Sequence, residues 1–132
     1  MIYLDSSALV TITLGRRHSK ELGDFLDAHS GTRTCTSTIG FVETVRACDQ
    51  IGAFPNLMAS LSRQHAELVV SEKIKDAAAV VSGNVRSLDA IHIASAERLG
   101  PKLTALVTYD NRMAEAARAA GLPVAMPGAE LS

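Results

Sequence analysis

Met1-Ile2-Tyr3-Leu4-Asp5-Ser6-Ser7-Ala8-Leu9-Val10 opens the chain with an apolar run that ends in an acid and passes straight into a helix-forming stretch. Ile2 to Leu4 reads as a short buried strand, with a helix starting near Ala8. An acid at the end of such a strand lies on the rim of a sheet, where an open α/β fold builds its sites. Ala105-Leu106-Val107-Thr108-Tyr109-Asp110 repeats the arrangement ahead of an Ala-rich helix. Two parallel strands that both end in Asp bring their carboxylates to the same edge.

The rest of the chain alternates in the same way. Leu22, Phe25, Leu26 and His29 form a helical stripe closed by Gly31. Thr34 to Thr36 reads as a strand, and Ser37 or Thr38 as the N-cap of a helix running to Gly52. Pro55 suits the first turn of a helix carrying Leu57, Met58 and Leu61. Glu67 to Val70 makes a third strand and Glu72 to Val81 a helix. Ser87 reads as the N-cap of a helix ending at Gly100-Pro101, so apolar around its girth that it must pack between other elements. Ala105 to Thr108 is the fourth strand, Asn111 to Ala120 a helix capped by Gly121, and Pro123 to Met126 an edge strand. Strands alternating with helices give an α/β fold, a central, mostly parallel sheet flanked by helices. Strand order does not follow from this pattern.

The 132 residues suffice for one domain, expected to span 1–132, with Ala, Val, Leu and Ile filling a core poor in aromatics. The opening strand leaves no room for a signal peptide, and no apolar stretch reaches the roughly 18 residues that span a bilayer. A cytoplasmic protein without a membrane partner is therefore expected. Cys35 and Cys48 are too few for a disulfide framework and read as small buried hydrophobes. The formal charge is −1, but setting four acids aside leaves ten against thirteen bases, an excess of +3 on the remaining surface. Arg16, Arg17, His18 and Lys20 form the one dense basic run, equally readable as a solvated helix start. Charge permits a phosphate-bearing ligand without demanding one.

Four acids carry the chemical reading. Asp5 and Asp110 would each serve as a helix N-cap on structural grounds alone. Ser6 or Ser7 could cap the first helix equally well, which makes a carboxylate at Asp5 surplus. Glu43 lies in the second turn of its helix among Ile39, Phe41, Val42 and Val45, so it is expected to be largely buried. A buried acid is costly unless something pairs with it. Arg46, one turn on, is the structural alternative to a functional role, worth only a few tenths of a kcal/mol if exposed. Asp89 falls in the first turn of its helix, where the dipole alone would favour it. His92, one turn further, reads as a packed histidine with one satisfied nitrogen. Carboxylates about 4 Å apart repel by about 4 kcal/mol at an effective dielectric of 20. Four together must hold protons or bind cations, and hard oxygen ligands favour Mg²⁺ or Mn²⁺. Cations held in this way can flank a phosphodiester.

The blocks Met1 to Val10, Glu43 with Arg46, Ser87-Leu88-Asp89-Ala90-Ile91-His92-Ile93-Ala94-Ser95-Ala96, and Leu106 to Met113 closely resemble the PIN-domain family. Within it they resemble the VapC toxins of toxin–antitoxin pairs. The resemblance covers essentially the whole chain and is most specific in the third block. It implies a Rossmann-like sheet and a Mg²⁺- or Mn²⁺-dependent endoribonuclease acting on structured or single-stranded RNA, such as tRNA or rRNA loops. Asp5, Glu43, Asp89 and Asp110 would be catalytic metal ligands. Ser6, Thr108 and Arg112 would position water, metal or phosphate. The resemblance also implies a homodimer and a VapB-type antitoxin covering the acidic groove. A dimer face is expected between Phe41 and Leu61, with Phe54, Leu57 and Met58 exposed. Some relatives carry a further acid just beyond the position of Asp110, where this chain has Asn111-Arg112, which implies weaker binding of a second metal.

Two competing readings differ in class. A phosphatase of the haloacid dehalogenase type also begins with an Asp at the first strand tip but needs a second Asp two residues later, where this chain has Ser7. A PIN domain that binds RNA or protein without cutting would usually lack one of the four acids, and here none is missing.

Overall fold

A computed structural model describes residues 1–129. Five strands form one sheet: β1 (Ile2–Leu4), β2 (Thr34–Ser37), β3 (Ala66–Leu68), β4 (Ala105–Val107) and β5 (Val124–Ala125). All pairings are parallel and the order is β3-β2-β1-β4-β5. The chain builds outward from β1 on one side and then returns to β1's other edge with β4. The strand order therefore reverses between β1 and β4, which opens a crevice at their carboxyl ends.

Seven α-helices occur among the described residues: α1 (Ser6–Leu14), α2 (Ser19–Ala28), α3 (Thr38–Asp49), α4 (Leu57–Gln64), α5 (Glu72–Ala79), α6 (Ser87–Glu97) and α7 (Asn111–Ala119). The pleat sorts the core between two faces. Ile2, Leu4 and Val107 meet Leu9, Leu22, Phe41 and Leu61 from α1 to α4. Tyr3 and Leu106, pointing the other way, meet Ile93 of α6 and Met113 of α7. The central strands β1 and β4 are apolar on both faces because helices cover both. α6 packs against α3, α5, α7 and β2, the sandwiched position that its composition requires.

Most expected elements are present, and the differences lie at their ends. α3 stops at Asp49 rather than Gly52, and α4 begins at Leu57, so Pro55 precedes its N-cap, Asn56. β3 is shifted to Ala66–Leu68 and α5 stops at Ala79. Ser87 is the first residue of α6 and Arg86 its N-cap, without a side-chain cap bond. That helix ends at Glu97, and Gly100–Lys102 forms a separate 3₁₀ turn. Cys35 and Cys48 are free and buried. Among the described residues no helix is long and apolar enough to cross a membrane.

Gly40 sets the seating of α3. A Cβ there would stand 1.9 Å from Thr36 Oγ1 and 3.1 Å from Thr36 Cβ. Only glycine allows the first turn of α3 to lie this close to the end of β2, and Glu43 follows on that same helix.

Candidate metal centre

Four elements bring the four acids to one cleft of about 650 Å³, lined by Asp5, Glu43, Asp89 and Asp110 together with Arg46 and Arg86. Asp5 and Asp110 sit just beyond β1 and β4, on either side of the strand-order reversal. Glu43 comes from the second turn of α3 and Asp89 from the first turn of α6.

Asp5 is the most enclosed, only 2% exposed. It is itself the N-cap of α1, which starts at Ser6 rather than near Ala8: its Oδ1 accepts from Ala8 N–H at 3.0 Å. The same oxygen accepts from the Ser7 hydroxyl at 2.6 Å, and Oδ2 accepts from the buried Thr108 hydroxyl at 2.5 Å. Burial pushes the Asp5 carboxyl above its ordinary pKa, opposed by these hydrogen bonds. Capping and a site role are therefore not alternatives at this position.

Of the two serines, Ser7 is the one that orients Asp5. Its oxygen also accepts from Tyr109 N–H at 2.9 Å, tying α1 to the end of β4. Ser6 lines the cleft. The hydrogen bonds to Asp5 and from Tyr109 N–H thus come from Ser7, the neighbour of the Ser6 expected to help position the centre. Thr108 links two of the acids, since its oxygen also accepts from Asp110 N–H at 3.0 Å.

Glu43 departs from expectation in two ways. Its side chain is 27% exposed rather than buried, because α3 turns Val42 and Arg46 toward solvent on either side of it. Its partner is His92, whose Nε2 lies 2.7 Å from Oε1, rather than Arg46. His92 is buried with both nitrogens engaged, since Nδ1 lies 2.7 Å from the Tyr3 hydroxyl. That hydroxyl accepts from Ser37 N–H at 3.2 Å, which directs its own proton to Nδ1. Burial holds the Tyr3 phenol far above its usual range, so it keeps that proton. His92 accordingly carries its proton on Nε2 and donates it to Glu43. Tyr3 and His92 are site residues that the sequence reading placed in the packing. The signal was an acid and a histidine on separate elements, which no local spacing connects.

Asp89 is 6% exposed and accepts from Arg86 Nε at 3.1 Å. Asp110 caps α7, its Oδ1 accepting from Arg112 N–H at 2.9 Å and Met113 N–H at 3.2 Å. Its Oδ2 lies 3.6 Å from Arg86 Nη2. One guanidinium thus spans two of the four acids. The Arg112 side chain is exposed and lines a neighbouring cavity with Arg86, Asp110 and Asn111.

Among the described residues no three acids, histidines or cysteines are gathered closely enough to hold one metal ion. The four acids share a cleft, but Glu43 leans to His92, and Asp89 and Asp110 lean to Arg86. Repelling carboxylates take the nearest positive or donating group. The donor set still fits a hard divalent cation. All four are oxygen donors, and Glu43 Oε2 and the oxygens facing Arg86 are not committed to backbone bonds. Asp5, Glu43, Asp89 and Asp110 could therefore hold such an ion.

A family model described as PIN domain matches residues 2–119. Ribonuclease VapC35 of Mycobacterium tuberculosis is 42% identical over 97% of this chain and 98% of its own length. Ribonuclease VapC46 of the same species is 34% identical over 96% and 97%. Among solved structures, FitAcB of Neisseria gonorrhoeae superposes with a TM-score of 0.68 at 18% identity, covering 98% of this chain and 100% of that one. VapC20 of M. tuberculosis, a sarcin-ricin loop cleaving toxin, gives 0.68 at 17% over 92% and 96%. These two bear on the fold alone.

Proposed function

The chain belongs to the PIN-domain family, and from that membership we propose that it is a VapC-like endoribonuclease toxin, a single PIN domain over residues 1–132 dependent on Mg²⁺ or Mn²⁺. The observation that carries the catalytic reading is the convergence of four carboxylates from four elements on one cleft at the carboxyl edge of the sheet. Ribonuclease is also the name of the relatives that match the full length.

Asp5, Glu43, Asp89 and Asp110 hold the cation in this reading. When bound, it would neutralise charge developing at a phosphodiester and acidify attacking water. The protein's own part is orientation. Ser7, Thr108 and Ala8 N–H fix the Asp5 carboxylate from both oxygens. Tyr3 directs His92, and the His92 Nε2–H holds Glu43 Oε1, leaving Oε2 to the cleft. Arg46 in the cleft lining and Arg112 beside Asp110 supply positive charge for the RNA backbone.

The substrate is RNA, and loops of tRNA or rRNA are the class in which unstacked bases give access to the backbone. A VapB-type antitoxin belongs to the same proposal. It is supported by the apolar rim of the cleft, where Val42 and Leu88 are 43% and 44% exposed. A homodimer belongs to it as well. Within the expected dimer face Met58 is exposed, whereas Phe54 and Leu57 are half-buried and Leu57 packs on the core. A cytoplasmic location completes the proposal, RNA being its substrate.

The test is cleavage of total RNA with Mg²⁺ or Mn²⁺ against EDTA, beside Asp5→Asn. Asn keeps an oxygen for capping Ala8, so the fold is preserved while the charge is lost. Discrete fragments requiring both the cation and Asp5 are expected. Intact RNA with confirmed metal binding would favour the non-cleaving module instead.

A further inference from the structure

Arg86 is the feature of the cleft that a metal-centre reading leaves unexplained. It is the N-cap residue of α6, yet its side chain makes no cap bond. Its guanidinium turns back to Asp89, with Nε at 3.1 Å from Oδ2, and reaches across to Asp110, with Nη2 at 3.6 Å from Oδ2. These acids come from different ends of the molecule's second half, one opening α6 and the other ending β4, and Arg86 is the cation that joins them. The partnership is unequal in burial: the Arg86 side chain is 75% exposed, against 9% for Asp89 and 28% for Asp110. The acids are held by the fold, whereas the arginine reaches them on a long solvent-facing arm.

We propose that Arg86 is an internal counter-ion that competes with the divalent cation for Asp89 and Asp110, so that metal loading displaces its guanidinium. This inference rests on the metal-centre reading and adds a residue to it. An exposed arginine has little enclosing contact to hold it in place, and the part-buried bond to Asp89 that its rotation breaks is the one the cation replaces. A place to go exists. The adjoining cavity of about 360 Å³ is lined by Arg86 itself with Asp110, Asn111 and Arg112. Binding a dication beside a retained guanidinium would set like charges against each other at a few ångströms, so ion and arginine exclude one another. With Arg86 in place, Asp89 and Asp110 share its one positive charge against their two negative ones.

The experiment titrates Mn²⁺ into RNA-free full-length protein and follows free Mn²⁺ by electron paramagnetic resonance. Wild type is compared with Arg86→Gln, Arg46→Gln and Asp89→Asn. Arg46 lines the same cleft, so its loss removes equal charge without touching the acid pair. Arg86→Gln is expected to bind Mn²⁺ about tenfold more tightly, with a clearly smaller gain in Arg46→Gln, as removal of one nearby positive charge implies. Unchanged or weakened affinity in Arg86→Gln overturns the proposal. Equal gains in both variants also overturn it, because the effect is then the general field of the cleft. Binding that is lost in Asp89→Asn but unmoved in Arg86→Gln refutes the counter-ion while keeping the metal centre. Binding indifferent to Asp89→Asn, or no binding by any of the proteins, overturns both.

Discussion

Gly40→Ala is ordinarily a stabilising kind of change within a helix, worth about 1 kcal/mol in propensity. Here the new Cβ would lie 1.9 Å from Thr36 Oγ1, with Thr36 Cβ at 3.1 Å and Cγ2 at 3.2 Å. Turning the threonine relieves only part of this, because its Cβ stays in tight contact whichever way χ1 points. Thr36 is itself fully buried, so α3 must lift from β2 instead. Overpacking of this kind costs about 3 kcal/mol at the upper end of its usual range. Set against the propensity gain, that leaves a net loss of about 2 kcal/mol, or a fall of about 8 °C in Tm for a chain of this size. The same variant should weaken the hold of His92 on Glu43, which lies one turn beyond Gly40. The assay is urea denaturation of Gly40→Ala, Thr36→Ala and the double variant. Thr36→Ala opens space and removes a buried hydroxyl that finds no partner of good geometry among the described residues. The double variant loses the Oγ1 and Cγ2 clashes but keeps the Cβ at position 36, so it should recover about half of the loss, a coupling of about 1 kcal/mol. A Gly40→Ala protein as stable as wild type, or a cycle that closes without coupling, would refute the close approach of α3 to β2.

Burial raises the Asp5 carboxyl, so the metal-free folded state keeps its proton to higher pH than the unfolded chain does. That contribution is full below the unfolded pKa and is lost as pH rises through the folded value. Asp5→Asn should therefore gain stability relative to wild type from acid toward neutral pH, read as Tm against pH without metal; a constant difference would count against the buried charge. Ser7→Ala should reduce RNA cleavage about tenfold or more while Ser6→Ala leaves most of it, because Ser7 bonds both Asp5 and Tyr109 N–H. Steady-state rates decide between them, and equal losses would return the positioning role to Ser6. Tyr3→Phe strands His92 Nδ1 and Ser37 N–H in the core and should cost about 1–3 kcal/mol in denaturation. A neutral result would mean the Tyr3–His92–Glu43 chain is not closed in solution.

What was legible in the sequence was local. Ile2 to Leu4 and Ala105 to Val107 are apolar enough to be strands covered on both faces, and an acid at each tip points to the carboxyl edge whatever the strand order. The 3.6-residue spacing on α2 and α6 needs only neighbours in the chain to be read. The four acids, the parallel sheet and the flanking helices follow from such patterns, as does the oxygen-rich character of the cleft. Tertiary structure decided the pairing. Glu43 and His92 are 49 residues apart and Asp5 and Thr108 are 103 apart, so their partners depend on how β1 sits between β2 and β4. Ser6 and Ser7 are equivalent as sequence, but the start of α1 at Ser6 aims only the second back at Asp5. Arg86 sits three residues before Asp89, a spacing that any helix start could show, and its reach to Asp110 exists only because α6 begins where β4 ends, at the same crevice. Propensity and periodicity are properties of neighbours in sequence, whereas charge compensation acts through space and takes whichever group the fold brings within a few ångströms.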